Sequence, residues 1–331
     1  MRNGQPADRC ERVLERSPSH PLWTTLFPRL LRVQTEYLFA AWSRRWAFRK
    51  AGKDNAMTIE RKTCHAADGV TIVHSVCGAG TPALLFIHGG LSDRTFWDDQ
   101  LQTFGMQYRV VAPDLPGHGE SGADRTKWGI PEFGSDIKAV AEAEGLEQVV
   151  VIGNSLGGPV AVEAALLMPH RVVGVVGVDT FQRLDYSMTD DQARERAQAF
   201  REDYATSLRQ MVKMLFHPDA NSALIAEAER RMQKTSPESA YSMFLSLGGY
   251  DAAAAARRLT VPLRAINGDL HPTDVGAVRR IKPDFEVTVM QHMGHYPMLE
   301  RPDEFNACVA TLVVSLASHY PNCQRNETGQ A

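Results

Sequence analysis

The chain has 331 residues, 44% of them hydrophobic, and a formal net charge of −3. That is enough apolar material for a large buried core, the near-neutral balance excludes an extended nucleic-acid surface, and the shortness of the apolar runs excludes a membrane span. Five cysteines (Cys10, Cys64, Cys77, Cys308, Cys323) are scattered with no CxxC. They imply a reducing, cytoplasmic setting, with neither a disulfide framework nor a cysteine zinc site.

Residues 1–56 read as a basic N-terminal extension. Its first fifty residues hold ten Arg and Lys against four Asp and Glu. Within it, an aromatic-rich stretch places Trp42 and Trp46 one helical turn apart. It lacks the charged-then-apolar layout and cleavage site of a secretory signal. One reading is a basic amphipathic helix that touches a membrane surface or a partner. The default is an appended helix or a partly disordered extension. Residues 51–55, Ala-Gly-Lys-Asp-Asn, are the expected linker.

From Met57 the pattern becomes regular. Residues 58–65 and 70–76 flank Asp68-Gly69, a hairpin turn signal. The runs ALLFIH (83–88), RVVAP (109–113), VVVI (149–152) and VVGVVGV (172–178) do not alternate. They therefore read as strands buried on both faces, in a mostly parallel sheet covered by helices. Helical stretches such as 131–144 lie between them, which makes the class α/β.

After Asp179 the alternation stops, and residues 183–258 contain helices only. Thr189-Asp190-Asp191-Gln192 is a capping box, Ser236-Pro237 places proline at a first helical position, and Asp251 can cap AAAAARRL. This is a helical cap inserted into a core made of residues 57–182 and 259–319. Phe181, Met211, Met214, Phe216, Met243, Phe244 and Tyr250 are candidates to line an apolar pocket, with plain core as the simpler reading. Strands resume at PLRAIN (262–267) and FEVTVM (285–290), a helix closes the domain over 302–318, and residues 320–331 read as a disordered tail.

The stretch that carries chemistry is VVVI-Gly153-Asn154-Ser155-Leu156-Gly157-Gly158, followed by a small, apolar helical segment. A strand, a Gly-x-Ser-x-Gly turn and a helix together are the context of a nucleophile elbow. A serine hydroxyl needs an adjacent base, and that base needs a third group to fix its tautomer. His295, on a loop straight after the last strand, is the best base. His88 and His118 sit beside glycines in tight turns and read as main-chain hydrogen-bonding groups, while His271 and His292 lack a comparable context. Asp114 reads as a turn cap and Asp136 as part of a surface helix.

Four signatures in order carry a resemblance over 57–318: His88-Gly89-Gly90, Asp114-Leu115-Pro116-Gly117-His118-Gly119-Glu120-Ser121, the Ser155 turn, and Gly294-His295-Tyr296-Pro297. The chain resembles the α/β-hydrolase fold family. The resemblance implies a central sheet, a cap between the sixth and seventh core strands and a Ser–acid–His triad. It also implies an oxyanion hole from the main-chain N–H groups of Gly90 and Leu156, and chemistry on a small-molecule substrate without cofactor or metal. Family members of this kind carry the acid after the seventh strand, where this chain reads Asn267-Gly268-Asp269-Leu270-His271-Pro272-Thr273-Asp274. Asp269 is the expected acid, Asp179 at the end of the sixth strand is the alternative, and Asp274 belongs to the next helix. Ser155 in place of an aspartate excludes the family's epoxide-hydrolase and haloalkane-dehalogenase chemistries. Hydrolysis of a small or medium carboxylic ester is the expectation. Carbon–carbon bond hydrolysis of ring-fission products and a non-catalytic binding role are the alternatives.

Overall fold

The computed structural model describes residues 57–319, so the readings on the basic extension, its linker and the tail lie outside the described residues. Strands β1 (Glu60–His65) and β2 (Thr71–Cys77) form an antiparallel hairpin. Its turn needs Gly69 at φ 87°, a conformation open to glycine because it has no Cβ. Then come β3 (Ala83–Ile87), β4 (Val110–Pro113), β5 (Val149–Asn154), β6 (Val172–Val178), β7 (Leu263–Gly268) and β8 (Glu286–Met290). They make one eight-stranded sheet in the order β1-β2-β4-β3-β5-β6-β7-β8. β2 runs antiparallel to β1 and β4, and every other neighbouring pair is parallel.

Every residue of β3, β4, β5 and β6 is buried, which is why these strands are continuously apolar rather than alternating. Helices α1 (Asp98–Phe104), α2 (Ile130–Ala143) and α3 (Gly157–Leu167) follow β3, β4 and β5. Among the described residues, no helix is long and apolar enough to cross a membrane.

Between β6 and β7 the chain forms α4 (Asp190–Glu202), α5 (Tyr204–Leu215), α6 (Ser222–Met232), α7 (Pro237–Leu245) and α8 (Ala252–Arg258). Their starts are local chemistry. Thr189 and Gln192 make both halves of a capping box, Ser236 accepts from the Ser239 N–H, and Asp251 accepts from the Ala254 N–H. Phe200 of α4 and Phe244 of α7 stack with centroids 4.5 Å apart. Of the candidate pocket residues, Phe181, Met211, Phe216, Met243 and Phe244 are buried and Tyr250 is half-buried, with Phe181 and Tyr250 lining one cleft, whereas Met214 is 59% exposed.

Asp136 corrects a reading. It is buried rather than at the surface of α2, and Arg125 grips both of its carboxylate oxygens, at 2.7 and 2.9 Å. Asp114 caps its turn as expected, accepting from the N–H groups of Arg94 and Glu120, and it also pairs with the Arg94 side chain.

The topology decides where a site can form. From β3 the chain passes to β4 on one side, and from β5 to β6 on the other. Such a switch point opens a crevice at the carboxyl ends of the two central strands. Register sets the height: Ile87 lies opposite Gly153, and Asn154 opposite Val178. The segments that begin at His88, Ser155 and Asp179 therefore leave the sheet side by side.

Candidate active site

Ser155 sits half-buried between β5 and α3 with φ 52°. This left-handed conformation is costly for a residue with a side chain and is held by the surrounding structure. The Ser155 N–H donates to Val178 O at 3.0 Å. The turn is tight enough that a Cβ on Gly157 would lie 2.5 Å from the Ile87 carbonyl oxygen, so only glycine fits there. Helix α3 starts at Gly157, which brings the positive end of its dipole to the serine.

Beside it, the segment after β3 turns back on itself. The Ser92 N–H donates to Gly89 O at 3.2 Å across Leu91, which is left-handed at φ 62°. Among the described residues, the main-chain N–H groups of Gly90 and Leu156 take no protein acceptor. The cap closes over them: a Cβ on Gly90 would lie 3.0 Å from Met243 Cε and 3.9 Å from Leu156 Cδ2.

His88 and His118 are structural, as their contexts implied. The Leu115 N–H donates to His88 Nε2 at 2.9 Å, so the ring proton is on Nδ1, which faces Gly89 O at 2.7 Å. Burial brings His88 down to about 4. The His118 ring lies 5.1 Å away, inclined at 55°, with Nδ1 at 3.1 Å from Pro116 O, and burial together with the His88 charge brings it to about 3.

His295 lies on the loop after β8, held from two sides. Its N–H donates to Leu215 O at the end of α5, at 2.6 Å. Its carbonyl accepts the side-chain amide of Asn154 at 3.0 Å. The ring nitrogen Nδ1 lies 2.5 Å from Asp179 Oδ2.

The structure therefore places Asp179, not Asp269, against the His295 ring. Asp179 is buried, left-handed at φ 44°, and accepts the Gly268 N–H on its other oxygen at 3.0 Å. Asp269 turns away. Its two oxygens accept the N–H groups of His292 and Met293, at 2.9 and 3.0 Å. Burial opposes its ionisation, but these two donors outweigh that and hold its carboxyl below the usual range. Asp269 thus pins the loop that carries His295 without touching the ring. Asp274 caps the helix α9 (Val275–Ile281), accepting the Ala277 N–H at 2.8 Å, and His271 is exposed.

Two further residues shape the site. The Asn154 amide also donates to Val178 O at 2.9 Å. Asn267 accepts the Thr180 N–H at 3.2 Å and donates to Thr180 O at 3.1 Å, clamping the residue after Asp179. Each is a fully buried amide at the end of an apolar strand. That is the signal a sequence offers for them, because a buried amide must find partners.

Comparison with known proteins identifies the family and the fold. Residues 84–308 match the model of the alpha/beta hydrolase family. The chain is 26% identical over 257 residues to the dihydrolipoyllysine-residue acetyltransferase component of the acetoin cleaving system of Cupriavidus necator, covering 72% of this chain and 66% of that protein. It is 25% identical over 242 residues to a pimeloyl-[acyl-carrier protein] methyl ester esterase of Nitrosospira multiformis, covering 68% and 92%. The chain thus spans just under two thirds of the first relative and most of the second. Among solved structures it superposes on a thermophilic esterase from Thermogutta terrifontis with a TM-score of 0.71 at 22% identity, covering 78% of this chain and 99% of that one. At that identity the likeness is one of fold.

Proposed function

The chain belongs to the alpha/beta hydrolase family, and from that premise we propose a serine hydrolase that cleaves small or medium carboxylic esters through an acyl-enzyme. The observations that carry this reading are the His295–Asp179 pair and the turn of Ser155 beside it. The Ser155 N–H binds the carbonyl of Val178, the residue before Asp179, and the neighbouring Asn154 amide holds the His295 carbonyl. The N–H groups of Gly90 and Leu156 take no acceptor among the described residues. With Nδ1 turned to the Asp179 carboxylate, His295 keeps its proton there and offers Nε2 as the base. Ser155 Oγ attacks the ester carbonyl carbon and its proton passes to Nε2. The oxyanion that forms is held by the Gly90 and Leu156 N–H groups, each worth roughly 3–4 kcal/mol of barrier. The C–O bond to the alcohol then breaks, and the proton on Nε2 leaves with the alcohol. Water repeats the sequence on the acyl-enzyme, giving up its proton to His295, releasing the acid and restoring Ser155.

The apolar side chains of Met243 and Leu156 beside Gly90 favour an acyl group without charge near the carbonyl. The similarity to a methyl ester esterase points the same way. The test is labelling by an organophosphonate serine probe together with p-nitrophenyl esters of graded acyl length. Wild type should be labelled at Ser155 and turn over, and Ser155→Ala should lose both. Labelling elsewhere, or an alanine variant retaining more than about a tenth of the activity, overturns the assignment.

A further inference from the structure

Where the cap meets the His295 loop, His217, Asp219 and His292 bring three ligand atoms within 4.8 Å of one another. His217 and Asp219 lie between α5 and α6, while His292 lies between β8 and His295. The two imidazoles meet edge to face, with centroids 5.7 Å apart and planes at 87°. We propose that these three residues form a divalent transition-metal site that clips the cap to the loop carrying His295.

The donor set selects the class of ion. Two imidazoles and one carboxylate suit Zn²⁺, Co²⁺ or Ni²⁺, whereas Ca²⁺ and Mg²⁺ prefer oxygen ligands throughout. A tetrahedral ion bound at about 2.0–2.1 Å needs donors roughly 3.3 Å apart. His217 Nδ1 and Asp219 Oδ2 are already 3.6 Å apart. That Nδ1 presents its lone pair, since it accepts the Asp219 N–H in a long bond of 3.2 Å that an ion can displace. Asp219 and His292 are exposed, so rotation of their side chains can close the remaining gap.

The backbone is fixed before an ion arrives. His292 is left-handed at φ 54°, and Asp269 accepts its N–H and that of Met293. On the facing side, the Leu215 carbonyl at the end of α5 accepts the His295 N–H, and the Glu300 carboxylate accepts the N–H groups of Gly294 and Tyr296. Two segments from different parts of the chain are thus held face to face with their imidazoles together. An ion bound there favours the folded, cap-docked form over any form in which the two segments separate.

The experiment uses the full chain without a polyhistidine tag. Co²⁺ is titrated while visible absorption is followed, and Zn²⁺ is titrated by calorimetry and in thermal melts. One equivalent of each ion should bind, with ligand-field bands for Co²⁺ and a higher Tm with Zn²⁺. His292→Asn keeps a residue that tolerates the left-handed backbone, and His217→Gln keeps a side chain of similar reach. Each should weaken binding by at least about tenfold, and the double variant should abolish both the bands and the Tm shift. Absence of saturable binding in wild type, or equal binding by the double variant, overturns the site.

Discussion

The Gly268 N–H donates to Asp179 Oδ1 at 3.0 Å and leaves Oδ2 to face His295 Nδ1 at 2.5 Å. The division of labour follows from strand order. β6 lies directly beside β5, and β7 lies one strand further out. Three consecutive residues at the end of β7 support the acid and the base without joining them: Asn267 clamps Thr180, Gly268 binds Asp179, and Asp269 ties down His292 and Met293.

That arrangement ranks two substitutions. Asp179→Asn keeps shape but cannot hold the Nδ1–H tautomer of His295, so kcat should fall by on the order of 10⁴. Asp269→Asn weakens two hydrogen bonds to an outer loop and should cost no more than about tenfold in kcat. Steady-state kinetics of both variants on one ester decide the matter, and the reverse ranking returns the acid to β7.

Asn267→Ala tests the clamp. The side chain is fully buried, and its loss strands the N–H and carbonyl of Thr180, at roughly 1–3 kcal/mol. Asp179 holds a left-handed backbone only because its surroundings require it, so a loosened Thr180 should lower kcat more than it changes KM. A urea denaturation series and Michaelis kinetics on the same preparation measure both effects.

These particulars show what a sequence can and cannot disclose here. The nucleophile turn is legible because it is local: Gly153, Ser155 and Gly157 follow one strand and start one helix. The cap's helix starts at Thr189, Ser236 and Asp251 are legible for the same reason. The acid is not. β6 and β7 both end in an aspartate near His295, and the choice rests on which carboxylate the backbone turns inward. The left-handed φ of Asp179 decides that, and Asn267, 88 residues further along the chain, helps to hold it. Cap packing is equally non-local. Nothing in the sequence separates Met243, which covers Gly90, from Met214, which faces solvent.

Asp136→Ala should destabilise the fold more than a helix-surface substitution would. The Arg125 and Asp136 side chains are each only 3% exposed. Removing the carboxylate leaves a buried guanidinium with only the half-exposed Asp68 for a partner, and breaking such a pair costs about 3–5 kcal/mol. Asp136→Asn, which keeps a hydrogen-bond acceptor, should lose less. Chemical denaturation of the two variants beside wild type gives the comparison.

The histidine pair under the oxyanion turn sets an acid limit to stability. Folded His88 and His118 titrate at about 4 and about 3, while the unfolded chain binds these protons near 6.5. Below about pH 6.5 the unfolded state therefore holds more protons, so this contribution is complete above that pH and declines as pH falls towards 4. At pH 5 the deficit is roughly 2 kcal/mol for each ring. Asp114 and Asp136, raised by burial, shift stability the opposite way in the acid range, so the total slope does not isolate the histidines. A difference does. Between pH 7 and 5, wild type should lose about 2 kcal/mol more than His118→Asn, which has no ring to protonate. Urea midpoints at the two pH values provide the measurement, and parallel losses would show that the buried imidazoles are protonated in the folded state.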